Sequence, residues 1–413
     1  MKKEVIVIGG GIVGLMCAYN LHKAGQKVTV IDEGDITNCT SFGNAGLLSA
    51  FDKGCLAYPG VISNTMKQMI KGESPVKIHP KLDPKLFTWL FKFAASANEK
   101  RFKKTVMLFE KYGEDTLKLY EKMQKNDKLD FDYHRKGMLS VFTEESTYEK
   151  KLKECETKDK STYKILSKEE TKEYLPCGNE KIKGSILFTR NAHLDPKRVM
   201  LETKEFLEKE GVEFILNEKI IDIKFENKKV KSVSSATNTY EAENFVLSTG
   251  YQTLLADIRK KSLMMTPAKG YSITFSMPEE LKPKTSTLFS DLFIVMTPRR
   301  DSVRLTSKLE LGSTNTKVVK EQIDSIKSNF EKYTLPFEMK DVKEWSGFRP
   351  LTPNDIPLFG RDEEYKNLVY AMGMGWLGMT FAPSIGKIVR KIITKDLDNK
   401  NSDDVLLFSG FYQ

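Results

Sequence analysis

Glu4-Val5-Ile6-Val7-Ile8-Gly9-Gly10-Gly11-Ile12-Val13-Gly14 is the stretch that decides the fold. Its first five residues are an apolar, β-branched run with the length of a buried strand. Ile12 to Gly25 reads as a helix: Val13, Leu15, Met16, Ala18, Tyr19 and Leu21 cover most of one side, and Gly25 stands where a C-terminal cap belongs. A second strand, Lys27-Val28-Thr29-Val30-Ile31, ends in Asp32 and Glu33. Gly9 permits the tight turn, Gly11 keeps a side chain out of the path of a pyrophosphate, and Gly14 lets the helix approach the strand. The helix start at Ile12 and Val13 offers free N–H groups and partial positive charge to phosphates. Asp32, 18 residues past Gly14, is placed to accept ribose hydroxyl hydrogens. Strand, turn, helix, strand and acid together predict a dinucleotide-binding unit, where the glycine spacing alone would be weak.

The rest of the composition narrows the class. A chain of 413 residues suits two domains, and 40% hydrophobic content can fill their cores. The net charge of +10 arises from 66 basic against 56 acidic residues. That is a mixed surface with a basic excess, and no nucleic-acid-binding module accompanies it. Cys17, Cys39, Cys55, Cys155 and Cys177 are odd in number and lack CxxC spacing, against a metal site or a secreted disulfide framework. Cys17 is expected in helix packing, and a Cys39–Cys55 bridge is the one alternative to five free thiols. The chain enters its first strand at once and holds no apolar run of membrane-spanning length. A cytoplasmic protein is expected, with peripheral attachment to the inner face of the membrane as the alternative.

Past Asp32, the small and polar segment Thr37–Ser49 supplies Thr40, Ser41 and Asn44 as caps or donors to a cofactor. Residues from Lys81 to about Lys125 repeat apolar positions at helical spacing, and Asp83-Pro84 reads as an N-cap with proline at the first helical position. Gly137–Phe142 is a strand; Glu144–Tyr174 is charged and helical. Gly184–Phe188 leads to His193-Leu194-Asp195-Pro196, where Asp195 caps a helix running to Gly211 and His193 is structural. Strands follow at Gly211–Leu216, as a hairpin around Asn227-Lys228-Lys229, and at Phe245–Gly250, whose small Thr249-Gly250 end can lie against a nucleotide. Tyr271–Phe275, Leu292–Met296 and Ser302–Leu305 suggest an antiparallel sheet covered by a helix from about Lys317 to Tyr333. Two glycine-rich clusters close the chain: Trp345-Ser346-Gly347-Phe348-Arg349-Pro350-Leu351-Thr352-Pro353, and Gly373-Met374-Gly375-Trp376-Leu377-Gly378-Met379-Thr380, which opens a second helix whose N-terminus can face the cofactor.

These motifs, with Thr40-Ser41-Phe42-Gly43-Asn44-Ala45-Gly46 and Pro267-Ala268-Lys269-Gly270-Tyr271-Ser272, make the chain resemble the FAD-dependent D-amino-acid oxidase and dehydrogenase family nearly end to end. The resemblance implies an α/β fold: a glutathione-reductase-like Rossmann FAD domain (1–80, 185–255 and 345–413) with an inserted α+β substrate domain of mixed sheet and covering helices (81–184 and 256–344). It implies a flavoprotein oxidoreductase of amino acid catabolism that passes hydride from an amino acid Cα to flavin N5, giving an imino acid and then a keto acid. By position it assigns Asp32 to the ribose and Ser41, Asn44, Ala45 and Gly46, with Leu47 beside them, to the pyrophosphate and flavin. It further assigns Ile220 to the adenine, Thr249 and Gly250 to the dinucleotide, Gly347 and the Gly373–Thr380 turn to the flavin, and Arg349 to the substrate carboxylate. A guanidinium binds a carboxylate through two parallel hydrogen bonds. Tyr271 is a candidate pocket phenol, with packing as its alternative. One departure stands out: Met374 replaces the histidine common in Gly-His-Gly dehydrogenases, and methionine neither donates a hydrogen bond nor carries a proton. The sequence leaves open a cyclic or secondary amino acid substrate (D-proline, hydroxyproline, sarcosine, glycine) and a purely flavin-binding subunit. It also leaves open the acceptor (quinone, oxygen or an electron-transfer partner) and the oligomeric state.

Overall fold

In the computed structural model, which describes residues 4–37, 39–49, 55–70, 74–79, 83–252 and 263–409, the run Glu4–Ile8 is a strand buried from Val5 onward. The helix Ile12–Lys23 follows it, and Gly25, at φ +78°, ends that helix by donating to His22 O at 2.7 Å. Lys27–Ile31 then pairs parallel with the first strand. On the other side of Glu4–Ile8 lies Asn244–Leu247, also parallel. The six-stranded sheet runs 358–361, 368–372, 244–247, 4–8, 27–31, 213–215, with only the 358–361 edge antiparallel. Its members come from both ends and the middle of the chain. The two neighbours of Glu4–Ile8 lie on opposite sides of it, so a crevice opens at its carboxyl end, where open parallel sheets bind ligands.

The C-terminal helix Gly378–Thr394 packs backbone to backbone on Ile12–Lys23: a Cβ on Gly386 would stand 2.3 Å from Met16 O. The long helix Glu99–Asp127 lies across both. Tyr120 Oη donates to Met379 O at 2.9 Å, and Thr116 shares a 2.9 Å bond with Ser384.

The second sheet has nine strands, in the order 340–351, 266–276, 302–311, 294–299, 286–289, 138–142, 184–188, 163–166, with 76–78 added parallel to 302–311. It is mixed, as expected, and the helix Lys320–Glu331 covers one face through Ile323, Ile326 and Phe330. Residues 185–188 and 345–351, which the expected domain bounds give to the cofactor domain, pair within this larger sheet. Glu144–Tyr174 is not continuously helical: between helices 145–156 and 168–174 lies the edge strand Tyr163–Leu166. Its outward residues are solvated, Ile165 at 48% exposure, so the charged composition hides its period of two. Asp83 caps the helix Pro84–Ser96 by accepting from Lys85 N, and Asp195 caps Pro196–Lys209 by accepting from Lys197 N. The hairpin at 227–229 joins strands 222–226 and 229–234. The expected start at Lys81, and Asn38, lie outside the described residues. The five cysteines are free thiols.

Candidate active site

A cavity of about 1690 Å³ opens at the carboxyl end of the six-stranded sheet and extends beneath the nine-stranded one. Ligand pockets commonly hold roughly 300–1,000 Å³, so this one has room for a dinucleotide together with a small second molecule.

Its floor is the first turn. Gly9 adopts φ +104°, and a Cβ there would lie 2.5 Å from Ser248 O. A Cβ on Gly11 would meet only Ser41 Oγ at 3.5 Å, so the approach to the helix start stays open. No acidic residue occupies the first turn of Ile12–Lys23, and Ile12 N donates to Ser41 Oγ at 3.1 Å. The cradle fits a pyrophosphate. Asp32 accepts from Gly10 N at 2.6 Å and Gly34 N at 2.8 Å, which fixes its carboxylate at the cavity wall. Burial pushes its pKa up, against those two bonds. Glu33 pairs with Lys219 at 3.1 Å and binds Gln252 Nε2. Ile220, Thr249 and Gly250 complete this end.

The segment Thr40–Leu47 forms the next wall. Thr40 Oγ1 donates to Phe348 O at 2.8 Å, and Asn44 Oδ1 accepts from Gly46 N at 2.8 Å. Leu47 pairs with His193, which is 1% exposed; burial and the neighbouring His134 push the His193 imidazole down to about 3, in keeping with a structural role. Gly347 and the turn Gly373-Met374-Gly375-Trp376 close the cavity opposite, with Gly375 N donating to Pro350 O at 3.0 Å. Gly378 and Met379 bring the start of the C-terminal helix to the wall.

Four of the expected cofactor residues sit behind the wall instead. Gly14 packs the helix on the turn, since a Cβ there would lie 1.8 Å from Gly9 O. Gly46, at φ +82°, presses on Leu194 O. Leu377 and Thr380 are buried beneath the helix start.

Arg349 lies across Gly270, where a Cβ would stand 2.4 Å from the guanidinium carbon. Its Nη1 donates to Lys308 O at 2.9 Å. Lys308 has φ +65°, and the 266–276/302–311 pairing shifts register between Lys269 and Tyr271. The irregularity turns that carbonyl toward the arginine. Among the described residues no carboxylate pairs with Arg349, and burial pushes its pKa down to about 10. It is therefore a charged fork at the cavity wall that lacks an anion. Tyr271 also borders the cavity, but its ring packs in the core of the large sheet, 1% exposed, and its hydroxyl makes no hydrogen bond to the described residues. Burial and the Glu310 carboxylate push its pKa up.

Several residues at or behind the wall were not singled out in the sequence. Gly43 is pressed against the Trp345 ring, at 2.3 Å from a built Cβ. Asp355 accepts from the backbone of Leu56 and Ala57, and burial raises its carboxyl to about 7. The helix Val61–Ile70 roofs the cavity through Ile62, Met66 and Met69; this spacing of i, i+4 and i+7 was the available clue. Trp89, on the helix Pro84–Ser96, completes the roof and donates to Leu351 O at 2.9 Å.

Comparison with known proteins gives one consistent result. The DAO family, described as FAD dependent oxidoreductase, matches residues 4–392. A D-amino acid dehydrogenase of Helicobacter pylori is 52% identical over 413 residues, covering all of both chains. Glycine oxidase from Bacillus cereus superposes with TM-score 0.72 at 20% identity, over 96% of each chain. Glycine oxidase from Geobacillus kaustophilus gives TM-score 0.74 at 17% identity, over 95% of each.

Proposed function

The chain belongs to the DAO family of FAD-dependent oxidoreductases, and from that premise we propose that it is a D-amino acid dehydrogenase whose substrate carboxylate is held by Arg349. The observation that carries the proposal is the fork itself: a guanidinium at the cavity wall, fixed by Lys308 O and Gly270, with no carboxylate partner among the described residues. A bidentate contact would both charge-balance it and fix the orientation of the amino acid.

FAD would be held by the Gly9–Gly11 cradle and Ile12–Val13 at its pyrophosphate, by Asp32 at a ribose, by Ile220, Thr249 and Gly250 at the adenosine end, and by Asn44, Ala45, Leu47, Gly347, the turn Gly373–Trp376, Gly378 and Met379 around the ring. Bound there, it supplies the two-electron oxidation of the Cα–N bond. The protein's part is to bind, orient and keep dry. Trp89, Leu351 and Met374 wall the cavity with apolar surface, which strengthens the Arg349–carboxylate pair. Met374 shapes its turn and moves no proton, and no base is needed there when the amine binds neutral. Tyr271 would contribute a hydroxyl to the bound ligand. In this reading the six-stranded sheet, with the C-terminal helix, is the cofactor domain, and the nine-stranded sheet the substrate domain.

The acceptor and its location depend on the roof. No helix among the described residues is long and apolar enough to cross a membrane. Phe87, Phe91 and Met107 are exposed on helices that also carry Lys85, Lys92, Lys103 and Lys104. Apolar residues among lysines suit peripheral attachment to an anionic bilayer, from which a quinone can be reached.

Anaerobic titration of the yellow protein with D- and L-amino acids tests the proposal. Bleaching by D-amino acids, in preference to their L-forms, is expected. Bleaching by sarcosine or proline alone would move the substrate to secondary or cyclic amines, bleaching by glycine alone would move it to the amino acid without a side chain, and no bleaching by any of them would end the proposal.

A further inference from the structure

Arg304 is a buried cation near the site that binding of substrate or cofactor does not use. It rises from the strand Ser302–Leu311, is 7% exposed, and does not itself line the cavity. Its Nε donates to Thr274 Oγ1 at 2.9 Å, and its Nη1 donates to two backbone carbonyls of the cavity wall, Phe42 O at 2.7 Å and Asn44 O at 2.9 Å. Burial, together with the nearby Arg299, pushes its pKa down to about 9, which leaves it charged at neutral pH. Asp195 beside it is engaged by Arg299 and by the N-terminus of the helix Pro196–Lys209.

The effect on the loop comes from peptide geometry. In a trans peptide the C=O and the following N–H point in opposite directions. Drawing Phe42 O and Asn44 O toward Arg304 therefore turns the N–H groups of Gly43 and Ala45 away from it. Between Phe42 and Gly46 the other N–H groups are taken: Phe42 N donates to Cys39 O at 3.0 Å, Asn44 N to Ser41 O at 3.2 Å, and Gly46 N to Asn44 Oδ1 at 2.8 Å. Among the described residues, those of Gly43 and Ala45 have no acceptor, and both residues line the cavity that Arg304 does not reach.

We infer that Arg304 is a positioning residue that turns the Gly43 and Ala45 N–H groups into the cavity as a donor pair for the negative charge the bound flavin ring takes up on reduction. This rests on the proposed FAD site. The ring, not the pyrophosphate, is the partner by location. The phosphate cradle is met by Ser41, earlier in the loop, whereas Gly43 is pressed on Trp345, on the strand that carries Arg349. Donors fixed in advance cost no reorganisation when charge develops, and the positive charge behind the loop adds to their field.

The test uses the purified flavoprotein and two readouts besides turnover: the dissociation constant of sulfite, which adds to the oxidised ring and leaves it anionic, and the midpoint potential of the flavin. FAD affinity is measured first, by fluorescence titration. If the unaltered protein takes no FAD, the cofactor reading fails, and that failure is distinct from any outcome in an Arg304 variant. In Arg304→Met, FAD is expected to remain bound while sulfite binds ~10-fold more weakly, as misaimed donors would dictate, and the potential falls. Arg304→Lys, which keeps charge and donors, should recover most of the sulfite affinity. Unchanged sulfite affinity and potential in FAD-loaded Arg304→Met would overturn the inference. So would a loss of FAD affinity alone, which would place the donors at the phosphates. Should Arg304→Met fail to fold, Arg304→Gln, a neutral donor, replaces it, and sulfite affinity equal to the unaltered protein's overturns the inference there as well.

Discussion

The two sheets hold their functional groups in different ways. At the six-stranded sheet the proposed cofactor site is built of backbone: the turn Gly9–Gly14, a helix start and one carboxylate fixed by two N–H bonds lie within a single βαβ unit. At the nine-stranded sheet the proposed substrate contact is a side chain, and three strands must come together to aim it. Arg349 comes from 340–351, the glycine it lies across from 266–276, and the carbonyl that holds it from 302–311. The first arrangement is local and tolerates no added atoms; the second is assembled from a distance and can be weakened by degrees.

That contrast is sharpest at two glycines three residues apart. Gly14→Val is expected to abolish folding, because a Cβ there would lie 1.8 Å from Gly9 O, in backbone that cannot give way. Gly11→Val should fold, since a Cβ there meets only Ser41 Oγ at 3.5 Å, yet it should lose FAD because its side chain fills the pyrophosphate path. Circular dichroism separates the two, with flavin absorbance as the second reading. A folded, yellow Gly14→Val protein would break the comparison. At the other sheet, Arg349→Ala should leave FAD bound and lower kcat/KM by ~100-fold, mostly through KM, the loss of a charged hydrogen-bonded contact worth about 3 kcal/mol. Arg349→Lys should recover part of that and no more, since an ammonium cannot reproduce the fork. Unchanged steady-state kinetics in Arg349→Ala would remove the residue from the site.

The same contrast explains what the sequence disclosed. The cofactor half was legible because its determinants are close in sequence: strand, glycines, helix and acid are read off residues 4–32, and the structure places them together. Asp83-Pro84 and Asp195-Pro196 were legible for the same reason, a cap being a local device. Arg349 could be singled out only through family resemblance. Nothing near it foretells that Lys308, 41 residues away, turns its carbonyl toward it. The edge strand 163–166 was hidden by solvated side chains, and the pairing of 184–188 and 345–351 within the larger sheet was not legible, because a strand's sequence does not name its neighbours. Arg304 carries no local signal whatever; its carbonyl partners, Phe42 and Asn44, lie 262 and 260 residues away in the chain.

Asp355 sits at the seam between these halves, tying Leu56 and Ala57 to the segment after Arg349. Burial raises its carboxyl to about 7, far above the ~3.9 of an unfolded aspartate. The folded chain thus binds this proton more tightly than the unfolded chain. The stability it confers is complete below about pH 4 and is lost as pH rises through about 7. Asp355→Asn, a lasting stand-in for the neutral acid, should flatten the fall in stability across that range and be the more stable protein at pH 9, by ~2 to 4 kcal/mol. Denaturant melts at pH 5, 7 and 9 measure it; parallel curves for the two proteins would show that the carboxyl does not titrate within the fold.

The smallest expected effect is the most diagnostic of how the larger sheet meets a ligand. Tyr271 keeps a hydroxyl with no hydrogen-bond partner among the described residues, in a ring that is 1% exposed. A buried hydroxyl left unpaired costs about 1–3 kcal/mol, so a purely structural position would be better filled by phenylalanine. If the hydroxyl is retained for the ligand, Tyr271→Phe should melt higher, by the equivalent of ~1 kcal/mol, while losing several-fold in kcat/KM, since neutral hydrogen bonds contribute about 0.5–1.5 kcal/mol. Stability and turnover would then move in opposite directions at one atom, as they do where a fold holds a polar group in reserve for a ligand. A variant that gains stability with unaltered kinetics would assign Tyr271 to packing and leave Arg349 as the one tested contact between the larger sheet and the substrate.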